Sequence, residues 1–294
     1  MVLSDLDIYG RLKPRVEDRV RQFWAELASS TWGRPDRGRL VIARDYKAAL
    51  RKFLSEREFR DWSEMESVRQ GHGEGIGMGF IAADEVPTAV VREFSVGEEG
   101  PELFEVCCHE LAELSVAPPT RKRYANADES MQTLIWSEHV VERLRTHIFV
   151  QKGWSDSAAS ESLNSLSDQY AGDFQALISW AVKANAVPDR TYWYWQILVR
   201  EAVSTFGRAR GGSGPDADEW DRFVSTRDDG SSSGWLKVAS VCDEAFQSGG
   251  SSLEDLDARG LEAWHGVLDA FSTQWNHAYR CEVRRKSGPM GWAA

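Results

Sequence analysis

The residues best suited to chemistry lie in ELFEVCCHELAEL, which spans residues 102–114. The spacing predicts a helix whose apolar stripe is formed by Leu103, Cys107, Leu111 and Leu114. His109 and Glu113 are four residues apart on the other side of this helix, so their side chains converge and could bind one metal ion. Glu110 is offset by one residue and could reach a water bound to that metal. The alternative interpretation is an acidic, solvated helix face.

A second helix with chemical potential is predicted in MQTLIWSEHVVERLRTHIFV, residues 131–150. Glu138 falls within its apolar face, Glu142 lies beside that face, and His139 lies on the flank. A carboxylate among core residues is unfavourable unless it is paired, hydrogen-bonded or bound to a metal. The alternative is a buried ion pair between glutamate and arginine, and the candidate partners are Arg123, Arg143 and Arg145. For His139 the alternative is an exposed or hydrogen-bonded structural histidine.

The order of these segments resembles that of gluzincin-type zinc metallopeptidases, in particular the small bacterial ImmA/IrrE-like proteins. Those proteins carry H-E-x-x-H on one helix, a strand just before it, and a glutamate ligand some thirty residues later. Here the strand-like TAVVREF precedes the motif helix, and Glu138 follows His109 by 29 residues. The resemblance covers roughly residues 14–150. It implies zinc held by His109, Glu113 and Glu138, with Glu110 as the general base of peptide hydrolysis.

The motif departs from the family pattern because Glu113 stands where the second histidine ligand should be. Glutamate is a harder oxygen ligand and adds negative charge, so a bound water would be less acidic and another divalent metal could replace zinc. His139 could supply the missing imidazole if the second helix is rotated, and Glu138, His139 and Glu142 all stay open as the ligand from that helix.

Three functions are therefore compared. The first is a metal-dependent peptidase acting on a protein or peptide substrate. The second is a catalytically inactive relative that acts as a protein-interaction module through its tryptophan-rich helices. The third is a carboxylate-bridged dimetal oxidase, which the absence of the Glu-x-x-His order in either segment disfavours.

Composition limits the classes of protein to which the chain can belong. Its net charge of -11 over 294 residues disfavours general nucleic-acid binding. The four cysteines form no paired framework and indicate free buried thiols in a reducing compartment. The sequence contains no membrane-spanning apolar run and no signal peptide, so we expect a cytoplasmic protein. Nothing in it indicates an oligomeric state.

The elements that would position the motif are a small sheet and many helices. Strands are predicted at 40–42, 79–82 and 88–94, and a Gly-rich stretch at 71–79 predicts a turn or strand instead of a phosphate loop. Helices are predicted at about 16–27, 46–54, 55–66, 102–115, 127–151, 157–185, 189–207, 217–225, 234–247 and 252–285. The expected fold class is α+β and predominantly helical. We predict a metallopeptidase-like domain over 1–152 and an all-helical domain over 153–294, and the two could share one core.

Overall fold

A computed structural model describes the chain at residues 5–30, 35–60, 63, 77–93, 101–116, 127–154, 163–184, 188–212, 234–247 and 275–286. The chain forms two compact units. Unit 1 comprises Met1–Lys122 and His147–Asp156, and unit 2 comprises Arg123–Thr146 and Ser157–Ala294. The predicted boundary at 152–153 coincides with the end of a long helix that contributes residues to both units.

Unit 1 alternates strands and helices along the chain. Its elements are β1 (Asp5–Tyr9), α1 (Pro14–Leu27), β2 (Arg37–Ala43), α2 (Tyr46–Phe53), β3 (Gly77–Ile81), β4 (Pro87–Arg92) and α3 (Pro101–Val116). Helix α1 begins at a proline, which suits a first helical position that needs no N–H donor. The side chain of Asp45 caps α2 by accepting a hydrogen bond from the backbone N–H of Ala48 at 2.9 Å.

The four strands form one mixed sheet in the order β1-β2-β4-β3. Strands β1, β2 and β4 are parallel, and β3 runs antiparallel to β4 at the edge. Strand β2 is buried along nearly its whole length, as its continuous run of apolar residues predicts for a central parallel strand.

Helices cover the sheet on opposite faces. Gly38 of β2 lies against the indole of Trp24 from α1. Val41 is three residues further along β2, so its side chain points to the other face, where it packs with Tyr46 and Leu50 of α2. Helices α1 and α2 therefore leave consecutive parallel strands towards different sides of the sheet.

Unit 2 is helical in the described residues. Its elements are most of α4 (Ala127–Lys152), α5 (Leu163–Ala184), α6 (Pro188–Gly211), α7 (Gly234–Gln247) and a helix, α8, at 275–286. Its core is aromatic: Trp195, Trp235 and Phe206 are buried, and the indole N–H of Trp195 donates to the hydroxyl of buried Tyr170 at 3.1 Å.

Two glycines let α6 approach α4 closely. A Cβ at Gly207 would lie 2.5 Å from the carbonyl oxygen of His139, and one at Gly211 would lie 3.0 Å from Cβ of Thr146. These glycines are four residues apart, so both fall on the same face of α6. Their missing side chains determine how closely the two helices pack.

The predicted fold class is confirmed: the structure is α+β and mainly helical, with one small sheet. Strand β1 was not predicted, although DLDIY shows the alternation of polar and apolar residues that is typical of a half-buried strand; only Leu6 of this short edge strand is buried. The helix predicted at 217–225 lies outside the described residues, as does most of the one at 252–285. Within the described part of the chain, no helix has the length and apolar character needed to cross a membrane.

Candidate functional site

Helix α3 presents its apolar stripe to the core of unit 1 as predicted. Cys107, Leu111 and Leu114 are buried, and Phe104 stacks on Phe149 with ring centroids 5.1 Å apart. The helix packs against β3 and β4, so the residues beside the stripe meet the edge of the sheet.

Glu113, at the position of the second histidine ligand, binds the edge strand. Its Oε2 accepts a hydrogen bond from the backbone N–H of Gly79 at 2.9 Å. A Cβ at residue 79 would lie 2.6 Å from the same oxygen, so the contact requires glycine at this position. The Gly79 N–H belongs to an edge strand, and no other described strand lies beyond it to accept this hydrogen bond.

Glu110, the predicted general base, is buried against the same strand. Glu110 is only 6% exposed, and a Cβ at Gly77 would overlap its carboxylate. Burial and the neighbouring charge of Glu110 both raise the pKa of the Cys107 thiol. The interpretation of this helix side as a solvated acidic face is therefore wrong for Glu110. The two carboxylates of H-E-x-x-E lie over Gly77 and Gly79, two residues apart on β3.

His109 is half-buried on α3 and, by its spacing, shares a face with Glu113. Both residues belong to unit 1, whereas Glu138 belongs to unit 2. Among the residues that the structure describes, no group of three or more His, Cys, Asp or Glu side chains could hold a metal ion. The ligand roles of His109, Glu113 and Glu138 stay predictions from the sequence.

His139, an alternative ligand, is fully buried between helices of unit 2. Its Nδ1 lies 3.2 Å from the carbonyl oxygen of Val203, and its ring stacks on Phe206 at a centroid distance of 5.6 Å. Because a carbonyl oxygen only accepts, Nδ1 carries the proton. Burial, reinforced by the positive charge of Arg143, lowers the pKa of His139 to about 4. His139 is therefore a neutral core residue.

Glu142, the other alternative ligand, sits in a buried ion-pair cluster. Its carboxylate accepts from Arg145 at 2.8 Å and from Arg208 at 2.6 Å. The buried pair with Arg145 was predicted for Glu138, but Glu142 forms it, and Glu138 is only half-buried. The remaining candidate partners differ: Arg143 pairs with Asp243 of α7, and Arg123 lies outside the described residues.

Several residues that organise these helices were not singled out in the sequence. Asp243 joins Arg143 of α4 to Arg210 of α6, and its pKa is lowered by those two arginines although burial alone would raise it. The G-x-x-x-G spacing at 207–211 is the signal that could have indicated close packing of α6. The pairing of Glu113 with Gly79 had no local signal, because the partners are 34 residues apart.

The prediction of free, buried cysteines is confirmed in part. All four cysteines are free, but Cys281 is exposed, so the expectation that every thiol is buried is wrong for that residue.

Comparison of the chain with protein-family models, curated proteins and solved structures found no significant match in any of the three. The resemblance to ImmA/IrrE-like proteins therefore rests on the motif and the order of elements.

Proposed function

We propose that this chain is a metallopeptidase-like protein whose H-E-x-x-E helix serves the fold and not hydrolysis, and that it acts by binding a protein partner. The observation that supports this proposal is the bond from the Gly79 N–H to Glu113. A hydrogen bond to a charged group contributes about 1.5–3 kcal/mol. A metal ion bound by Glu113 would draw charge from the carboxylate that accepts this bond and so weaken it.

The position of Glu110 supports the same conclusion. A general base needs to reach the water it deprotonates, but the Glu110 side chain is buried against Gly77. Both carboxylates thus contact one strand, over residues that have no side chain.

The partner-binding part of the proposal rests on unit 2. Trp180 of α5 is 42% exposed and Val283 of α8 is 38% exposed. These residues follow Ser179 and Glu282, whose side chains are hydrogen-bonded at 3.2 Å, so the two apolar groups lie on adjoining helices. Exposed tryptophan is a frequent anchor of protein interfaces. With a net charge of -11, we favour a protein over a nucleic acid as the partner. The four free cysteines favour the cytoplasm as the location.

A metal-dependent peptidase is the second candidate, and one observation favours it. Carboxylate ligands are usually held by a further hydrogen bond, and the Gly79 N–H supplies one to Glu113 beside His109. In that function His109, Glu113 and Glu138 would bind zinc or another divalent ion, with His139 or Glu142 as replacement ligands. Glu110 would accept the proton of the attacking water from a protein or peptide substrate.

Metal content and hydrolysis separate the two candidates. We would measure zinc stoichiometry after dialysis against zinc for wild type, Glu113→Ala and Glu113→His, and casein hydrolysis for wild type and Glu110→Gln. The proposal predicts no bound zinc in wild type or Glu113→Ala, and no hydrolysis above buffer. One equivalent of zinc in wild type that Glu113→Ala loses, together with hydrolysis that Glu110→Gln abolishes, would establish the peptidase. Glu17→Gln, at a partly exposed position of α1, is the matched control for removing one carboxylate.

A further inference from the structure

A cavity opens at the carboxyl ends of the parallel strands of unit 1, and its described lining includes no residue of the H-E-x-x-E motif. Its volume is about 310 Å³, and it is lined by Gly10, Arg11, Ile42, Arg44 and Glu93. Gly10 and Arg11 follow β1, Arg44 follows β2, and Glu93 follows β4. The cavity therefore lies where three neighbouring parallel strands end.

The two helices that begin at this edge make it a crevice. Helix α1 leaves β1 to one face of the sheet, where Trp24 meets Gly38, and α2 leaves β2 to the other, where Tyr46 meets Val41. In open sheets with parallel strands, ligands bind where successive connections diverge in this way. The loops after β1 and β2 are short, since α1 starts at Pro14 and α2 at Tyr46, so the backbone of Gly10, Arg11 and Arg44 stays close to the sheet.

Gly10 shapes the floor of this crevice. Its φ of +102° is a conformation that side chains disfavour, and a Cβ would overlap the carbonyl oxygen of Ile42. The glycine lets the chain turn sharply out of β1 while its backbone remains against β2. The floor is consequently main chain, and the charged side chains stand around it.

The charges of the lining favour an oxyanion. Arg44 donates from Nε to Oε2 of Glu93 at 2.8 Å, and the Glu93 N–H is itself fixed by the carbonyl oxygen of Ala43 at 2.8 Å. This pair occupies one of the five N–H donors of Arg44 and leaves the terminal nitrogens for a ligand. Arg11 is exposed and forms no hydrogen bond or ion pair within the described residues. Two guanidinium groups against one carboxylate give a positive site on an acidic protein.

We infer that this crevice binds a small phosphate ester that also carries hydroxyl groups. Arg11 and the terminal nitrogens of Arg44 bind the phosphate oxygens, for which the planar guanidinium is well matched. The remaining oxygen of Glu93 accepts a hydrogen bond from a hydroxyl of the same ligand, because a carboxylate accepts and does not donate. The volume of the crevice suits a molecule of the size of a sugar phosphate.

Isothermal titration calorimetry of the full chain with ribose 5-phosphate, inorganic phosphate and succinate tests this inference. We expect ribose 5-phosphate to bind more tightly than inorganic phosphate, and succinate to bind more weakly than both. Arg11→Gln and Arg44→Gln should each raise the Kd for ribose 5-phosphate about tenfold or more, since each removes charge-assisted hydrogen bonds. Glu93→Gln should reduce the preference for ribose 5-phosphate over inorganic phosphate.

The matched control is Arg37→Gln. Arg37 lies at the opposite end of β2 and forms a similar exposed ion pair with Asp7 at 2.9 Å, so the Kd should change by less than about twofold. Circular dichroism confirms that each variant is folded. Three results would each overturn the inference. The first is the absence of heat with both ribose 5-phosphate and phosphate. The second is a wild-type Kd for ribose 5-phosphate in the Arg11 and Arg44 variants, and the third is tighter binding of succinate than of phosphate.

Discussion

Helices α3 and α4 both carry glutamates that face the protein interior, but different donors bond to their carboxylates. On α3, Glu113 accepts a hydrogen bond from a backbone N–H, and Glu110 lies against a glycine of the same strand. On α4, Glu142 is bound by two arginine side chains. A glutamate thus has a main-chain donor at a half-buried position of α3 and side-chain donors at a buried position of α4.

The difference follows from what each helix packs against. Strand β3 is at the edge of the sheet, so alternate N–H groups on its outer side are available to a carboxylate. Around Glu142 the neighbours are helices, whose backbone N–H groups are already bonded within each helix. A buried carboxylate between helices therefore needs arginine, and four arginines of α4 and α6 surround Glu142 and Asp243: Arg143, Arg145, Arg208 and Arg210.

The largest expected effect comes from removing the charge of Glu142. Glu142→Gln leaves Arg145 and Arg208 without their carboxylate, and breaking a buried pair in this way costs about 3–5 kcal/mol. Chemical denaturation measures the loss in the free energy of unfolding. Glu138→Gln on the half-buried neighbouring position is the control and should change that free energy by less than about 1 kcal/mol. Equal effects of the two variants would contradict the assignment of Glu142 as the buried partner.

The second effect depends on pH through His139. Its pKa falls from 6.5 in the unfolded chain to about 4 in the folded protein, so folding favours the neutral ring. The stabilisation from this difference is full above pH 6.5 and is lost as the pH falls through about 4, which amounts to about 3 kcal/mol. We expect His139→Leu to flatten the decline of the unfolding free energy between pH 6.5 and pH 4.

Asp243, Arg143 and Arg210 are the charged groups near His139, and they are retained in that variant. His147→Gln, an exposed change on the same helix, is the control and should leave the pH profile as in wild type. A profile for His139→Leu that matches wild type would show that His139 does not control this range.

The third prediction compares two helical glycines of unit 2. Gly207→Ala would bring a Cβ within 2.5 Å of the His139 carbonyl oxygen, and overpacking of this kind costs about 1–3 kcal/mol. Gly172→Ala on α5 meets nothing within 4 Å and should stabilise the protein by about 0.5–1 kcal/mol, because alanine has the higher helix propensity. Thermal denaturation should therefore give shifts of opposite sign. A rise in Tm for both variants would contradict the close contact of α6 with α4.

How far the sequence predicts these arrangements depends on how local the partners are. The apolar stripe of α3 and the bounds of α3 and α4 follow from helical periodicity and were predicted nearly to the residue. Arg145 was named as a candidate partner of Glu138, but it pairs with Glu142, which is three residues away on the same helix. Arg208 and Gly79 could not be predicted as the partners of Glu142 and Glu113. Their proximity depends on how helices and strands pack, which periodicity does not specify. Strand β1 was not predicted either, because its place in the sheet depends on pairing with β2, and only one of its side chains is buried.

A smaller effect is expected at the sheet edge, where a double-mutant cycle isolates the contact of Glu113 with Gly79. Glu113→Ala removes one charge-assisted hydrogen bond at a half-buried position and should cost about 1.5 kcal/mol, the lower end of the range for bonds to charged groups. Gly79→Ala should cost a similar amount in the presence of Glu113 and less in its absence, because the Cβ collides with the Glu113 carboxylate. Chemical denaturation of the two single variants and the double variant gives the coupling free energy. Strict additivity would contradict the contact.

Amide hydrogen exchange at Gly79, followed by NMR, tests most directly whether the H-E-x-x-E helix serves the fold. The account predicts that the Gly79 N–H is protected in the metal-free wild-type protein and that zinc does not change this protection. In Glu113→Ala its exchange should accelerate about tenfold or more, in line with loss of a hydrogen bond to a charged group, while amides of central strand β2 keep their wild-type rates. Equal exchange at Gly79 in wild type and Glu113→Ala, or loss of protection in wild type when zinc is added, would contradict it.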